Sequence, residues 1–176
     1  LHGGEITEGA IDDAIRHAIT KMAHLHFVGA EPYRQRVIQL GEDPSRVFNY
    51  GAIQLDFINK LTLLSLEEFE KAIDFRLGKI NFLVTYHPVT LSQEAPTKGV
   101  KSLLEALDHF NDAHIIFTGN NSDTNGRVVG KMITDYVERY PVKAKHIKSL
   151  GQLKYLSAIS HTDAVIGNSS SGLSEV

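Results

Sequence analysis

Cysteine is absent from these 176 residues. That excludes disulfides, zinc–thiolate centres and a cysteine nucleophile, and is compatible with a reducing compartment. There is no basic surplus either: 18 Lys and Arg against 21 Asp and Glu leave a net charge of −3. The chain therefore lacks the electrostatic footprint of a nucleic-acid binder, and an anionic ligand has to be held by local donors. No apolar run approaches the roughly 18 residues of a membrane span, and the start lacks the basic-then-apolar pattern of a signal peptide. A cytoplasmic protein without membrane or nucleic-acid partners is expected. Also missing are the phosphate-loop pattern G-x-x-x-x-G-K-[ST], a G-x-G-x-x-G after a strand, a G-x-S-x-G elbow and a Ser-His-Asp order. NTPase, dehydrogenase and serine-hydrolase readings lose their usual anchors. There is no internal repeat and no low-complexity tract.

What is present is a globular composition, 42% hydrophobic and 22% charged, able to build a sizeable core in one domain or in pieces of two. The chain opens on Leu1 and stops at Val176, where a helix pattern begins; it reads as an internal fragment. Helical periodicity over about Glu8 to His24 (Ile11, Ile15, Ala18, Ile19, Met22) is followed by a strand-like Leu25-His26-Phe27-Val28-Gly29-Ala30. A helix from Glu31 to Leu40, closed by Gly41, and a strand around Arg46 to Gly51 come next. The pattern loosens over Asp56 to Leu64, where the domain crossing is placed. Ser65 and Glu68 then form a capping box for a helix expected to run to about Leu77 and to end at Gly78. Strands are expected at 81–86, 114–118, 146–150 and 163–166, with helices at 99–111, 124–140 and 152–160 between them. This alternation points to α/β architecture with a parallel sheet before the crossing and a second, doubly wound sheet after it.

In such sheets ligands lie beyond the carboxyl ends of the strands. His87, Asn120, Asn121 and Ser169 to Ser171 all fall just past a predicted strand end. The run Gly167-Asn168-Ser169-Ser170-Ser171-Gly172 is the clearest of these. Its glycines admit close backbone approach, its hydroxyls donate, and a following helix start, signalled by Leu173-Ser174-Glu175, favours phosphate. An ordinary Gly/Ser turn is the structural alternative. A second cluster gathers His2, Glu5, Asp12, Asp13, Arg16 and His17 on a Gly-Gly loop and the helix after it. Helical spacing lets either aspartate pair with Arg16, and Asp13 with His17. The competing readings are a solvated helix face with ordinary ion pairs and a set of carboxylates able to act as general acid and base. His24 and His26 mimic a metal pair, but no third ligand is evident.

Taken in order, His2-Gly3-Gly4-Glu5, Gly9-Ala10-Ile11-Asp12-Asp13, Arg16 to Met22, Arg36 to Glu42, His87-Pro88-Val89-Thr90 and Gly167 to Gly172 resemble the hydrolysing UDP-N-acetylglucosamine 2-epimerases of sialic-acid biosynthesis. The resemblance implies a GT-B-like pair of Rossmann-type domains with the active site between them. Residues 1–60 would be the rear of the N-terminal domain, and 61–176 the front of the C-terminal, UDP-binding one. It implies proton removal at C2 of the sugar with loss of UDP from C1, giving 2-acetamidoglucal, and then hydration to N-acetylmannosamine. Glu5, Asp12, Asp13 and His2 are the implied catalytic set, with the C2 base open among His2, Glu5 and Asp12. Some relatives carry a glutamate in the slot that His2 fills here. Arg16, His17, His87, Asn121, Ser169, Ser170 and Glu175 are the implied substrate contacts, with Glu175 on the ribose. No cofactor and no metal are implied, and the intact parent is expected to be a homo-oligomer acting on a UDP-sugar. A UDP-linked 2,4-diacetamido-trideoxy sugar is the alternative substrate; a GT-B glycosyltransferase and a non-catalytic UDP-sugar binding module are the alternative functions.

Overall fold

The computed structural model describes residues 3–7, 10–58, 60–87, 96–119 and 126–169. The chain divides into two compact units, Leu1–Asn59 and Lys60–Val176. Within the first, α1 (Asp12–Met22) leads to β1 (His26–Val28), α2 (Glu31–Gln39), a 3-10 turn at Pro44–Arg46, β2 (Val47–Asn49) and α3 (Ile53–Ile58). β1 and β2 pair in parallel with Phe27 opposite Phe48. One face of this ribbon is closed by α2, through a cluster of Val28, Val37 and Val47 with Tyr33 and Ile38 against it. On the other face Phe27 and Phe48 stack at 5.5 Å, and Tyr50 joins them at 6.1 Å from each.

Helix α1 has the expected period. Ile11, Ile15 and Met22, the apolar positions that announce the helix, are more than half exposed in this chain. The opposite side carries Asp13, Arg16, His17 and the buried Thr20. The backbone loop 3–7 lies against that polar side. Helix α3, which the sequence pattern did not announce, reaches into the stretch from Asp56 where the domain crossing is placed.

The second unit holds α4 (Leu66–Ile73), β3 (Ile80–Thr85), α5 (Pro96–Asp108), β4 (Ala113–Thr118), α6 (Gly126–Arg139), β5 (Ala144–Ile147), α7 (Gly151–His161) and β6 (Ala164–Gly167). All four strands are parallel, in the order β5-β4-β3-β6. Helices cover both faces. Alternate strand residues such as Phe82, Val84, Ile115 and Phe117 pack with Val129, Ile133 and Tyr136 of α6, and the intervening Leu83 and Ile116 pack with Phe69 and Ile73 of α4. Continuous apolar strands are what a sheet buried on both faces requires.

The capping box of α4 is present in full: Ser65 Oγ accepts from the Glu68 amide while the Glu68 carboxylate accepts from the Ser65 amide at 2.9 Å. That helix stops at Asp74, in the left-handed region with φ 49°, four residues short of Gly78. Gly78 has a different task. A side chain there would meet the His114 ring at 2.8 Å, and Asn81 brackets its backbone, with its Oδ1 accepting from the Gly78 amide and its Nδ2 donating to the Gly78 carbonyl. No helix among the described residues is long and apolar enough to cross a membrane.

Candidate functional site

In the second unit β3 comes first in the chain, and β4 and β5 are added on one side of it before β6 crosses to the other. The chain thus reverses direction between β3 and β6, and the loops leaving their carboxyl ends open a crevice there, where doubly wound sheets take ligands. His87 leaves β3 and Asn168-Ser169 leave β6 at that point. The Asn168 side chain joins the two loops: its Oδ1 accepts from the His87 amide at 2.7 Å and its Nδ2 donates to the His87 carbonyl at 2.7 Å. The Asn168 amide also donates to the Thr85 carbonyl at 3.3 Å. Gly167 makes the approach feasible. Its φ is +150°, and a Cβ at this position would collide with the Thr85 carbonyl oxygen. At the same ends of β3 and β4 the buried Thr118 hydroxyl donates to that of Thr85 at 2.8 Å. The loops that leave β3 and β6 are thus bonded to each other, and they carry the His87 imidazole and the Ser169 hydroxyl.

The first unit arranges its charged cluster around the loop 3–7. Asp13 Oδ1 accepts from the Thr7 amide at 3.0 Å and from Arg16 Nη2 at 3.1 Å. Arg16 Nη2 also donates to the Thr7 hydroxyl at 2.7 Å. His17 Nε2 lies 3.3 Å from the Glu5 carbonyl oxygen, its hydrogen-bond acceptor, and Arg36 donates to the Gly4 carbonyl at 2.6 Å. Gly4 itself, with φ +82°, passes so close to Tyr33 that a Cβ would strike the Tyr33 carbonyl. Four side chains from α1 and α2 therefore hold the backbone that carries Glu5. Asp12 is different: its side chain is 66% exposed, and it meets Arg16 Nε only at 3.4 Å, while that buried nitrogen makes no hydrogen bond.

Glu5, Asp12, Asp13, Arg16 and His17 thus lie on one loop and helix of the first unit, and His87 and Ser169 flank the reversal point of the second. His2, Asn121, Ser170 and Glu175, also expected in the site, lie outside the described residues. His26 is buried and paired with Glu42 at 3.1 Å. The Lys21 ammonium first, and His26 after it, hold the Glu42 carboxyl below the usual range. This network joins α1 and β1 to the loop after α2, and His24 is exposed beside it. Among the described residues no three His, Cys, Asp or Glu gather as metal ligands. Sequence reasoning assigned no role to Thr7, Arg36 or Asn168. Asn168 carried a usable signal, since an Asn directly after a strand-ending glycine is placed to bond the neighbouring loop.

The fold is that of a doubly wound α/β protein, with two bonded loops at its reversal point. A family model described as UDP-N-acetylglucosamine 2-epimerase matches residues 1–176, and the chain belongs to that family. It is 46% identical over 175 residues to the GDP/UDP-N,N'-diacetylbacillosamine 2-epimerase (hydrolyzing) of Campylobacter jejuni, covering 99% of this chain and 46% of that protein. It is 39% identical to the polysialic acid biosynthesis protein P7 of Escherichia coli (100% and 44% covered). With the UDP-N,N'-diacetylbacillosamine 2-epimerase (hydrolyzing) of Legionella pneumophila the identity is 34% (99% and 45% covered). The chain spans about half the length of these relatives. Among solved structures, the UDP-N-acetylglucosamine 2-epimerase from Rickettsia bellii superposes with a TM-score of 0.69 at 15% identity, covering 99% of this chain and 45% of that one. The Neisseria meningitidis UDP-GlcNAc 2-epimerase bound to UDP-GlcNAc gives 0.59 at 17% identity, covering 98% and 47%. The fold is accordingly α/β with parallel sheets, of the GT-B-like class.

Proposed function

We propose that the protein is a hydrolysing 2-epimerase of a UDP-linked 2-acetamido sugar. The observation that supports this is the pair of loops joined by Asn168 at the β3/β6 reversal, which carry His87 and Ser169 as candidates for a diphosphate, in a chain of this family. In the reaction a carboxylate removes the C2 proton, the C1–O bond breaks, and UDP departs with both bonding electrons. A C1=C2 alkene results. Water then adds its hydroxyl to C1 and a proton returns to C2 on the opposite face. Fixed donors at the reversal point meet the charge that grows on the leaving diphosphate. Glu5 and Asp12 are assigned to the proton transfers, each worth about 10²–10⁴ in rate; Asp13, Arg16 and His17 hold the loop that presents Glu5. His2, Asn121, Ser170 and Glu175 keep the roles in catalysis and substrate binding that the family resemblance implies.

The two relatives named for N,N'-diacetylbacillosamine favour a UDP-linked 2,4-diacetamido-trideoxy sugar as substrate. UDP-N-acetylglucosamine, giving N-acetylmannosamine for sialic-acid synthesis, is the second reading and is favoured by the description of the family itself. The test is to incubate the full-length protein with each UDP-sugar in D2O, without any acceptor. Release of UDP together with a free sugar, inverted at C2 and carrying one deuterium there, is expected. A glycosyltransferase would release UDP only with an acceptor, and a binding module would leave both sugars unchanged; either result refutes the proposal.

A further inference from the structure

Within the reading of the β3/β6 crevice as a diphosphate site, on which this inference rests, we infer that Asn168 is a positioning residue for His87. Asn168 touches no reacting atom in this arrangement. Its carboxamide forms a closed ring with the backbone of one residue, accepting from the His87 amide and donating to the His87 carbonyl, both at 2.7 Å. Those two groups lie beyond the end of β3, where the ladder with β6 has already stopped at Thr85 and Gly167. The side chain therefore continues the pairing for one more step after the strands have ended. A primary amide is suited to this, because it offers a donor and an acceptor side by side, as a peptide unit does. Alanine supplies neither group, and serine cannot span both.

The consequence is mechanical. The loop with His87 and the turn with Ser169 belong to segments 81 positions apart in the chain, and the clamp narrows the conformations open to each before a ligand arrives. Ordering them in advance removes part of the entropy that binding would otherwise cost. The strands below are pinned independently. Gly167 fits against Thr85, and at the opposite end Asn81 and Asp163 exchange bonds, the Asn81 amide donating to the Asp163 carboxylate at 2.8 Å and the Asp163 amide to the Asn81 carbonyl at 2.9 Å. Loss of the Asn168 clamp thus loosens the loops while leaving the sheet assembled.

The experiment is a double-mutant cycle on the full-length protein, with UDP as the titrant in calorimetry and a thermal melt on each variant. Two hydrogen bonds of ordinary net strength predict that Asn168→Ala weakens UDP binding about tenfold, with a melting temperature close to that of the parent. In a His87→Ala background the same change is expected to cost clearly less than in the parent, because the side chain it positions is gone while its hold on the backbone and the Ser169 turn remains. Asn168→Ser, which keeps a hydroxyl in the turn, repeats the cycle should the alanine variant not fold. Unchanged UDP affinity in the Asn168 variants, or penalties that add fully with His87→Ala, overturns the inference while leaving the functional reading standing. Failure of the parent protein to bind UDP at all overturns both.

Discussion

Both oxygens of the Asp13 carboxylate face partners, Thr7 and Arg16 on one side and His17 at 3.8 Å on the other, whereas Asp12 projects mostly into solvent. Two neighbouring aspartates are thereby given different work. Replacing Asp13 by Asn leaves the shape but weakens the bonds that hold the loop 3–7; a loss of about 1 kcal/mol in stability is expected in a urea titration. Glu5→Gln should do the reverse. Under the proposed reaction it lowers kcat by about 10²–10⁴ with unaltered UDP affinity, and a larger kcat loss in Asp13→Asn than in Glu5→Gln would refute this division of roles. A second residue-scale prediction concerns His146 on β5. Burial, and then the charge of Lys148, push this imidazole below its ordinary value, and its buried Nε2 has no hydrogen-bond partner. The unfolded chain therefore takes up the proton first as pH falls. Its share of stability is complete above about pH 6.5, declines as pH drops through that value, and levels off once the folded imidazole also protonates. His146→Phe should flatten the fall in melting temperature between about pH 7.5 and 5.5; a slope equal to that of the parent would contradict it.

At the scale of elements, caps and glycines do most of the specifying. Ser65→Ala removes the N-cap of α4 and should cost about 1 kcal/mol, seen as a lower urea midpoint with an unchanged slope. Gly167→Ala sets a methyl group against the Thr85 carbonyl at a φ that only glycine accepts readily. It should destabilise by more than about 1 kcal/mol and weaken UDP binding with it, because β6 and the turn beyond it move together. The α4 cap was legible in the residues, since Ser65 and Glu68 bond each other locally. So were β3, β4 and β6, which carry apolar runs; β5, expected at 146–150, lies instead at Ala144–Ile147, because its Ala-Lys-His-Ile sequence has no apolar run to mark it. The end of α4 was not, because Asp74 rather than a glycine adopts the left-handed conformation. Nor was the bonding of the polar side of α1 to the loop 3–7, which depends on where that loop lies.

At the scale of the molecule the two units differ in how completely they enclose their sheets. The second has clusters on both faces of four strands, with Leu83, Ile115, Ile116 and Phe117 fully buried. The first has one covered face on two strands, and its other face leaves Phe27 57% and Tyr50 76% exposed. A two-stranded ribbon of this kind has little stability of its own. Native-state hydrogen exchange on the 176-residue chain should therefore find the amides of β3 and β4 protected to near the global limit, and those of β1 and β2 opening far more readily. Equal protection in the two units would refute that ranking.

The α/β class, the order of elements apart from α3, and the loops that hold the candidate residues were determined by sequence alone. Hydrophobic period, caps and glycines act over a few residues and are written directly in the chain. Three matters were decided only by the tertiary structure: that the polar side of α1 bonds the loop 3–7, which of two adjacent aspartates is consumed in holding that loop, and that Asn168 clasps His87. Each depends on groups brought together by the crossover of strands and the closing of loops, and no local pattern records the distance between them.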